Sequence, residues 1–276
     1  MEAEITVAPE PGTAPPRGLR WVLAFTLLFA LLPLQIIIGV PLFFVFFAVQ
    51  FKDARALADM TTTLDLLIDS DWMIWLALAA AGIAGAVTVA AALLWPRLIG
   101  WFRSDLRFDL AEWIAWRRPR YLQLWMVPIV TLGALLIGGL GLSYLFGETE
   151  VQVQLMLFRT PALRVFSTLL VSTLVPLSEE LAFRGGLYTA LLRPRREDEP
   201  RLRRHITPFL VTMILFGAVH LLSGFETAGA IIQVFVLSAF ITALRTATGS
   251  VWPSIVAHAT WNLAAALALA VTGIGF

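Results

Sequence analysis

The chain has 276 residues, 59% of them hydrophobic and 14% charged, and its mean hydropathy is +0.82. Soluble domains have closer to half apolar and a quarter charged residues, so this composition excludes an ordinary soluble fold and predicts a polytopic membrane protein. The net charge of +1 gives no indication of a nucleic-acid partner, and the absence of cysteine excludes disulfides, thiolate metal ligands and cysteine nucleophiles.

The N-terminal residues 1–17 are rich in proline and lack apolar periodicity, which predicts a disordered cytoplasmic tail. The apolar run from Trp21 to Phe51 predicts a first membrane-spanning helix, bent or interrupted near Pro33 and Pro41. Further spans are predicted at 72–95, 121–146, 161–192, 208–223, 228–245 and 251–272, each near the ~20 residues that cross a bilayer. The predicted fold class is all-α, a polytopic bundle of about seven transmembrane helices.

Arginines are concentrated in two loops, with six in residues 96–120 and six in residues 193–207. If the N-terminus is cytoplasmic, both loops and Arg245 lie on the cytoplasmic side, and the opposite side receives loop 52–71 and the loop with Glu148 and Glu150. Loop 96–120 also interleaves tryptophan and phenylalanine with its charges. This pattern predicts an interfacial amphipathic helix, and an aromatic belt at the helix ends fits it equally well.

A few strongly polar residues fall deep inside the predicted spans: Glu179, Glu180, Arg184, His220, His258 and Asn262. With a rise of ~1.5 Å per residue, Glu179 lies roughly 20 Å from the cytoplasmic loop, His220 roughly 18 Å, and the last two residues roughly 10 to 16 Å. A single buried polar residue is usually a helix–helix hydrogen bond. Polar groups from three helices at one depth instead predict a single site, whereas His205, in the basic loop, is expected to be solvated.

Spacing suggests a role for each residue of this layer. Glu180 and Arg184 are four residues apart and are expected to form an ion pair, which leaves Glu179 as the uncommitted carboxylate and candidate general base. His258 and Asn262 share one helix face and can both donate toward a developing oxyanion. His220, on a third helix, can share a water with Glu179. Such chemistry requires a polar cavity between the helices, which we expect to open toward the cytoplasm.

Three short motifs resemble those of a known family. They are "EELAFR" (Glu179, Glu180, Arg184), "FGAVH" (Phe216, His220) and "HATWN" (His258, Asn262), in this order on successive hydrophobic segments. They are similar to the motifs of the CPBP family, which includes CAAX prenyl endopeptidases of the Ras-converting type and bacterial relatives also called Abi proteins. The resemblance covers roughly residues 159–270. It implies an intramembrane glutamic endopeptidase in which Glu179 and His220 activate water and His258 and Asn262 stabilise the oxyanion, with no cofactor.

The resemblance divides the chain into the tail, N-terminal membrane helices with an interfacial segment at 18–158, and a CPBP-like catalytic core at 159–276. The expected substrate is a membrane-associated or lipidated peptide or protein in a lipid bilayer, and the expected location is a prokaryotic plasma membrane. Two alternatives stay open. Glu179, His220 and His258 are a chemically possible zinc ligand set, although no H-E-x-x-H motif is present. The second alternative is a scaffold or bacteriocin-immunity factor that does not use its catalytic residues.

Overall fold

The computed structural model describes residues 16–50, 71–102, 109–146, 158–193, 200, 202–221 and 227–272, and no strand occurs within these segments. In chain order the helices are α1 (Arg17–Leu31), α2 (Pro33–Gln50), α3 (Asp71–Phe102), α4 (Leu110–Trp113), α5 (Met126–Phe146), α6 (Pro161–Ser172), α7 (Leu174–Glu180), a π-helical segment (Leu181–Leu187), α8 (Tyr188–Leu191), α9 (Arg203–Leu221), α10 (Ala228–Thr248) and α11 (Trp252–Thr272). The predicted all-α bundle is confirmed.

Six stretches of the described residues are long and apolar enough to cross a membrane: Arg17–Leu42, Asp71–Ile99, Pro161–Leu191, Arg203–Leu221, Ala228–Thr248 and Trp252–Ala270. A shorter apolar stretch, Met126–Gly138 in α5, lies within the remaining predicted span at 121–146. The predicted interruption near Pro33 is present, since α1 ends at Leu31 and α2 begins at Pro33, whereas Pro41 lies inside α2. Residues 1–15, loop 52–70, Glu148 and Glu150 lie outside the described residues.

Residues 96–120 differ from the single interfacial helix that the sequence predicts. Helix α3 continues to Phe102, and the only other helix in the described part of this loop is the one-turn α4. Trp113 and Ile114 are buried in a hydrophobic cluster with Leu27 of α1 and Phe183 of the π-helical segment. This part of the loop therefore packs into the protein core, because its apolar side chains find partners there instead of at a bilayer surface.

The predicted span at 161–192 is one helical path with two irregularities. Thr160 caps its start by accepting a hydrogen bond from the Leu163 N–H, with Pro161 in the first helical position. The helix is interrupted at Thr173, between α6 and α7, and it widens into the π-helical segment directly after Glu180. Nearly the whole stretch from residue 178 to 190 is buried, so this path is the central element of the bundle.

The Arg-rich segments meet at one end of the bundle. The Arg120 N–H donates a hydrogen bond to the Thr248 carbonyl at 3.2 Å, which ties loop 109–125 to the end of α10. The Tyr188 hydroxyl lies 2.8 Å from both His205 Nδ1 and Thr246 Oγ1, which brings the start of α9 to the same end. The structure therefore agrees with the predicted topology in which both basic loops lie on one side of the membrane.

Candidate active site

The two adjacent glutamates lie at the end of α7, where the helix passes into the π-helical segment. Arg184 Nη1 donates to Glu180 Oε1 at 3.1 Å, and both side chains are completely buried. The ion pair predicted from the spacing is therefore present. Isolated π-helical turns are rare and often occur at functional sites, and this one directly follows both carboxylates.

The guanidinium of Arg184 has partners on all sides. It donates to Ser238 Oγ at 2.8 Å and to Thr242 Oγ1 at 3.2 Å, both on α10. Its Cζ atom lies 4.2 Å from the centre of the Phe216 ring, so it also makes a cation–π contact. A buried ion pair is stable only when its remaining donors and acceptors are satisfied. These contacts largely meet that condition for the guanidinium.

Both predicted histidines lie beside Glu179. His220 Nε2, from α9, is 3.9 Å from Glu179 Oε2, and His258 Nε2, from α11, is 3.8 Å from the same oxygen. The two histidines, 41 and 79 positions after Glu179 in the sequence, thus converge on one of its oxygen atoms, as the shared depth predicts. Glu179 Oε2 is itself buried and has no hydrogen-bond partner among the described residues.

The other ring nitrogen of each histidine is held by the protein. His220 Nδ1 lies 2.9 Å from the Phe216 carbonyl, one turn earlier on α9. His258 Nδ1 lies 2.9 Å from Glu180 Oε1. A carbonyl and a carboxylate only accept hydrogen bonds, so each Nδ1 carries a proton and donates it. The contact of His258 with Glu180 was not anticipated by the spacing argument, which assigned Glu180 to Arg184 alone.

Asn262 has a different position from the other three predicted catalytic residues. Its Nδ2 donates to the Val171 carbonyl at 2.8 Å, near the interruption between α6 and α7. The last carbonyls of a helix have no partner within the helix, and the Asn262 side-chain N–H donates a hydrogen bond to one of them. The side chain therefore ties α11 to α6, and no hydrogen bond joins it to Glu179, His220 or His258 within the described residues.

Phe216 has more contacts in the site than its place in the motif suggests. Its ring is fully buried and lies 4.3 Å from the His220 ring and 5.7 Å from the His258 ring, centre to centre. Together with the contact to Arg184, it touches three of the polar side chains. Phe216 therefore packs against both histidine rings and against the guanidinium.

The side chains of the site differ in their exposure. The side chains of Glu180, Arg184 and His258 are 0% to 3% exposed, whereas those of Glu179 and His220 are 16% and 22% exposed. The residues left accessible are the two that the sequence assigns to water activation. A cavity of about 230 Å³ lies elsewhere, at the Arg-rich end, where it is lined by Arg193, Arg203 and Arg204.

The polar stripe on α10 was missed as part of the site. Ser238, Thr242 and Arg245 are spaced four and three residues apart in an otherwise apolar helix, which places them on one face. Arg245, assigned from the sequence to the cytoplasmic side, is 3% exposed and donates from Nε to the Arg184 carbonyl at 3.0 Å. The spacing of these three polar residues could have identified this face of α10 from the sequence. His205, expected to be solvated, is also buried and contacts Tyr188.

The zinc alternative can be examined from the same geometry. Among the described residues, no group of three or more His, Asp or Glu side chains has the arrangement of a metal site. Glu179 Oε2 and the two Nε2 atoms come nearest to such a group.

The fold and the site together define a class of protein: an integral membrane protein with ionisable side chains gathered inside a helical bundle. Residues 161–264 match the family model described as Rce1-like, Type II CAAX prenyl endopeptidase Rce1-like. This segment is therefore similar to the CAAX protease family, which confirms the resemblance drawn from the three motifs. The match supports a CAAX-type intramembrane protease acting on a peptide or protein substrate at the bilayer. No curated protein and no solved structure matched the chain.

Proposed function

We propose that the protein is an intramembrane glutamic endopeptidase that hydrolyses a peptide bond of a membrane-associated or lipidated protein or peptide. The observation that carries the proposal is the convergence of His220 Nε2 and His258 Nε2 on Glu179 Oε2, at 3.9 and 3.8 Å. The neighbouring Glu180 is completely buried and binds Arg184 and His258 through Oε1, whereas Glu179 is 16% exposed, so Glu179 is the carboxylate left for chemistry.

The distances suit a bridging water. They are too long for direct hydrogen bonds, and a water about 2.8 Å from each atom spans such a gap. Glu179 then acts as general base: it takes a proton from the water while the oxygen attacks the scissile carbonyl. The same carboxyl group returns the proton to the leaving amine as the tetrahedral intermediate collapses. His220 orients the water through Nε2, and its own ring is fixed by the Phe216 carbonyl.

Oxyanion stabilisation is assigned to His258 and Asn262. His258 Nδ1 is held by Glu180 Oε1 at 2.9 Å, which fixes the ring so that Nε2 lies on the side of Glu179, where a proton on Nε2 would be donated to the developing oxyanion. The Asn262 amide has two N–H donors, and only one is used by the Val171 carbonyl. The second is available to the substrate.

The remaining assignments follow from the resemblance and the charge distribution. The catalytic core is 159–276, and residues 18–158 supply the additional helices that pack on it. We place the protein in a prokaryotic plasma membrane by analogy with the bacterial relatives of the family. We place its N-terminus in the cytoplasm because the basic segments meet at one end of the bundle. Glu179 and His220, the more exposed pair, form the side of the site that receives the substrate.

The experiment compares membrane and secreted peptides from cells expressing wild-type protein with those from cells expressing Glu179→Gln. This substitution keeps the shape of the side chain and removes the base. We expect specific cleavage products to disappear in the variant. Identical peptide profiles, together with an unchanged cellular phenotype, would instead establish a scaffold or immunity factor. Loss of cleavage on chelation, with recovery on adding zinc, would establish the zinc-dependent variant.

A further inference from the structure

The cavity at the Arg-rich end of the bundle belongs to no part of the proposed catalytic mechanism. Its volume is about 230 Å³, and it lies between the end of α8 and the first turns of α9. Its walls are formed by three arginines and four other residues, namely Arg193, Arg203, Arg204, Leu191, Ile206, Thr207 and Pro208. A cavity with this lining suits an anion, because guanidinium groups are planar donors that match phosphate and carboxylate oxygens.

The charges of the arginines are not neutralised by neighbouring acids within the described residues. None of the three arginines forms an ion pair there, and the side-chain hydrogen bond of Arg204 runs to the His205 ring. In the sequence, residues 193–204 contain six arginines and three acidic residues, which leaves a net charge of +3. The segment around the cavity therefore carries a net positive charge.

An apolar stripe on α9 begins at this cavity. Ile206 lines the cavity and is 50% exposed, and Leu210 and Ile214 follow at intervals of four residues with exposures of 45% and 50%. Residues at this spacing lie on one helix face. The stripe runs from the basic end toward the middle of the predicted span, which is the path an acyl chain takes below its headgroup.

We infer that this cavity binds the phosphate group of an anionic phospholipid, with an acyl chain lying along Ile206, Leu210 and Ile214. Basic pockets at the cytoplasmic ends of transmembrane helices are suited to phospholipid headgroups. The arginine cavity recognises the phosphate, and the apolar stripe distinguishes a lipid from a free phosphate ion. The site does not include Glu179, so a test of lipid binding is independent of the protease assignment.

The test uses full-length protein in a non-ionic detergent and native mass spectrometry with added short-chain phosphatidylglycerol. Phosphatidylcholine with the same chains and inorganic phosphate are the comparison ligands. We expect a one-to-one complex with phosphatidylglycerol that is weakened at least about tenfold in the double variant Arg193→Gln/Arg203→Gln, since each arginine near a lipid phosphate contributes about fivefold.

The matched control is Arg118→Gln/Arg120→Gln, which removes the same charge from two exposed arginines at the same end of the bundle but outside the cavity. It should bind the anionic lipid within about twofold of wild type. All mutated side chains are exposed, and unfolding curves of both variants confirm that the fold is kept. Equal binding of phosphatidylcholine, or equal losses in both double variants, would overturn the site. Binding of inorganic phosphate as strong as that of phosphatidylglycerol would overturn the lipid assignment.

Discussion

Glu179 and Glu180 are neighbours in the chain, but their carboxylates have different surroundings. Successive residues of a helix point about 100° apart, so one carboxylate faces Arg184 and His258 while the other faces the gap between the two histidine Nε2 atoms. In the proposed mechanism Glu180 therefore organises the site, and Glu179 is the general base. We therefore expect that breaking the Glu180–Arg184 pair lowers stability, whereas substitution of Glu179 lowers activity and changes stability little.

Removing the partner of Glu180 should affect stability first. Arg184→Ala leaves a fully buried carboxylate without its guanidinium, which we expect to lower the free energy of unfolding by about 3–5 kcal/mol. Glu179→Gln should change it little, and Arg118→Ala, at an exposed arginine, should stay within about 0.5 kcal/mol of wild type. Denaturant unfolding in detergent measures all three. Similar stabilities for Arg184→Ala and Arg118→Ala would show that the buried pair contributes nothing.

Arg245 is a second buried cation, and its contacts reach from the π-helical segment into α8. Its Nε donates to the Arg184 carbonyl, its Nη2 donates to Thr189 Oγ1 at 3.3 Å, and its Cζ lies 4.8 Å from the centre of the Tyr188 ring. Arg184 belongs to the π-helical segment, whereas Tyr188 and Thr189 belong to α8. Arg245 therefore ties these two consecutive elements together.

Substitution of Arg245 tests this role. Arg245→Met preserves the length of the apolar stem but leaves the Arg184 carbonyl without its donor, so unfolding should become easier by about 1–3 kcal/mol. The comparison variant is Arg120→Met, at an exposed position. If the melting temperatures of the two variants agree, Arg245 does not support the π-helical segment.

At the scale of the elements, the π-helical segment makes close contacts with neighbouring parts of the chain at its two glycines. A Cβ atom added at Gly185 would lie 3.2 Å from the Ile114 Cβ and 3.3 Å from the Ile114 carbonyl oxygen. One added at Gly186 would lie 3.4 Å from the Ala24 Cα of α1. The sequence analysis did not foresee these contacts with residues 114 and 24. They place the π-helical segment against α1 and against the residue that follows α4.

Gly185→Ala should therefore disturb the packing of Ile114, the residue after α4, on the π-helical segment. The main obstacle is backbone, which does not move aside as a flexible side chain does, so we expect a loss of about 1–3 kcal/mol in unfolding free energy. Gly133→Ala in α5, where nothing lies within 4 Å of the added atom, is the matched control and should be neutral or slightly stabilising. Equal stabilities in a chemical unfolding titration would contradict the close approach.

The sequence predicted the features that depend on local periodicity. Apolar runs located the spans, and the four-residue spacing of Glu180 and Arg184 predicted their pair. The shared depth of Glu179, His220 and His258 predicted their meeting. Three features depend on contacts between residues far apart in the chain and were not predictable in the same way. They are the contact of Asn262 with Val171, the bond from Arg245 to the Arg184 carbonyl, and the packing of Ile114 on Gly185.

At the scale of the whole molecule, the basic segments lie at one end of the bundle, so the orientation of the protein in the membrane can be tested. The natural chain lacks cysteine, so single cysteines can be introduced without background labelling. Arg118→Cys and Leu202→Cys, both at exposed residues of the basic end, should react with a membrane-impermeant maleimide only from the cytoplasmic side. Ala162→Cys and Ala228→Cys, at exposed residues near the starts of α6 and α10, should react only from the opposite side. Labelling of Arg118→Cys and Ala162→Cys from the same side would refute the topology.

The central claim is that Glu179, placed between two histidines, hydrolyses a peptide bond. The most direct measurement is the initial cleavage rate of the peptide whose processing in cells requires the protein, with purified wild type, Glu179→Gln and Glu112→Gln in detergent. Glu112 is a partly exposed carboxylate in α4, so the control makes the same chemical change outside the site. We predict at least about a 10²-fold loss for Glu179→Gln, typical of a lost general base, and a rate near wild type for Glu112→Gln. A folded Glu179→Gln protein that keeps more than about a tenth of the wild-type rate would contradict the claim.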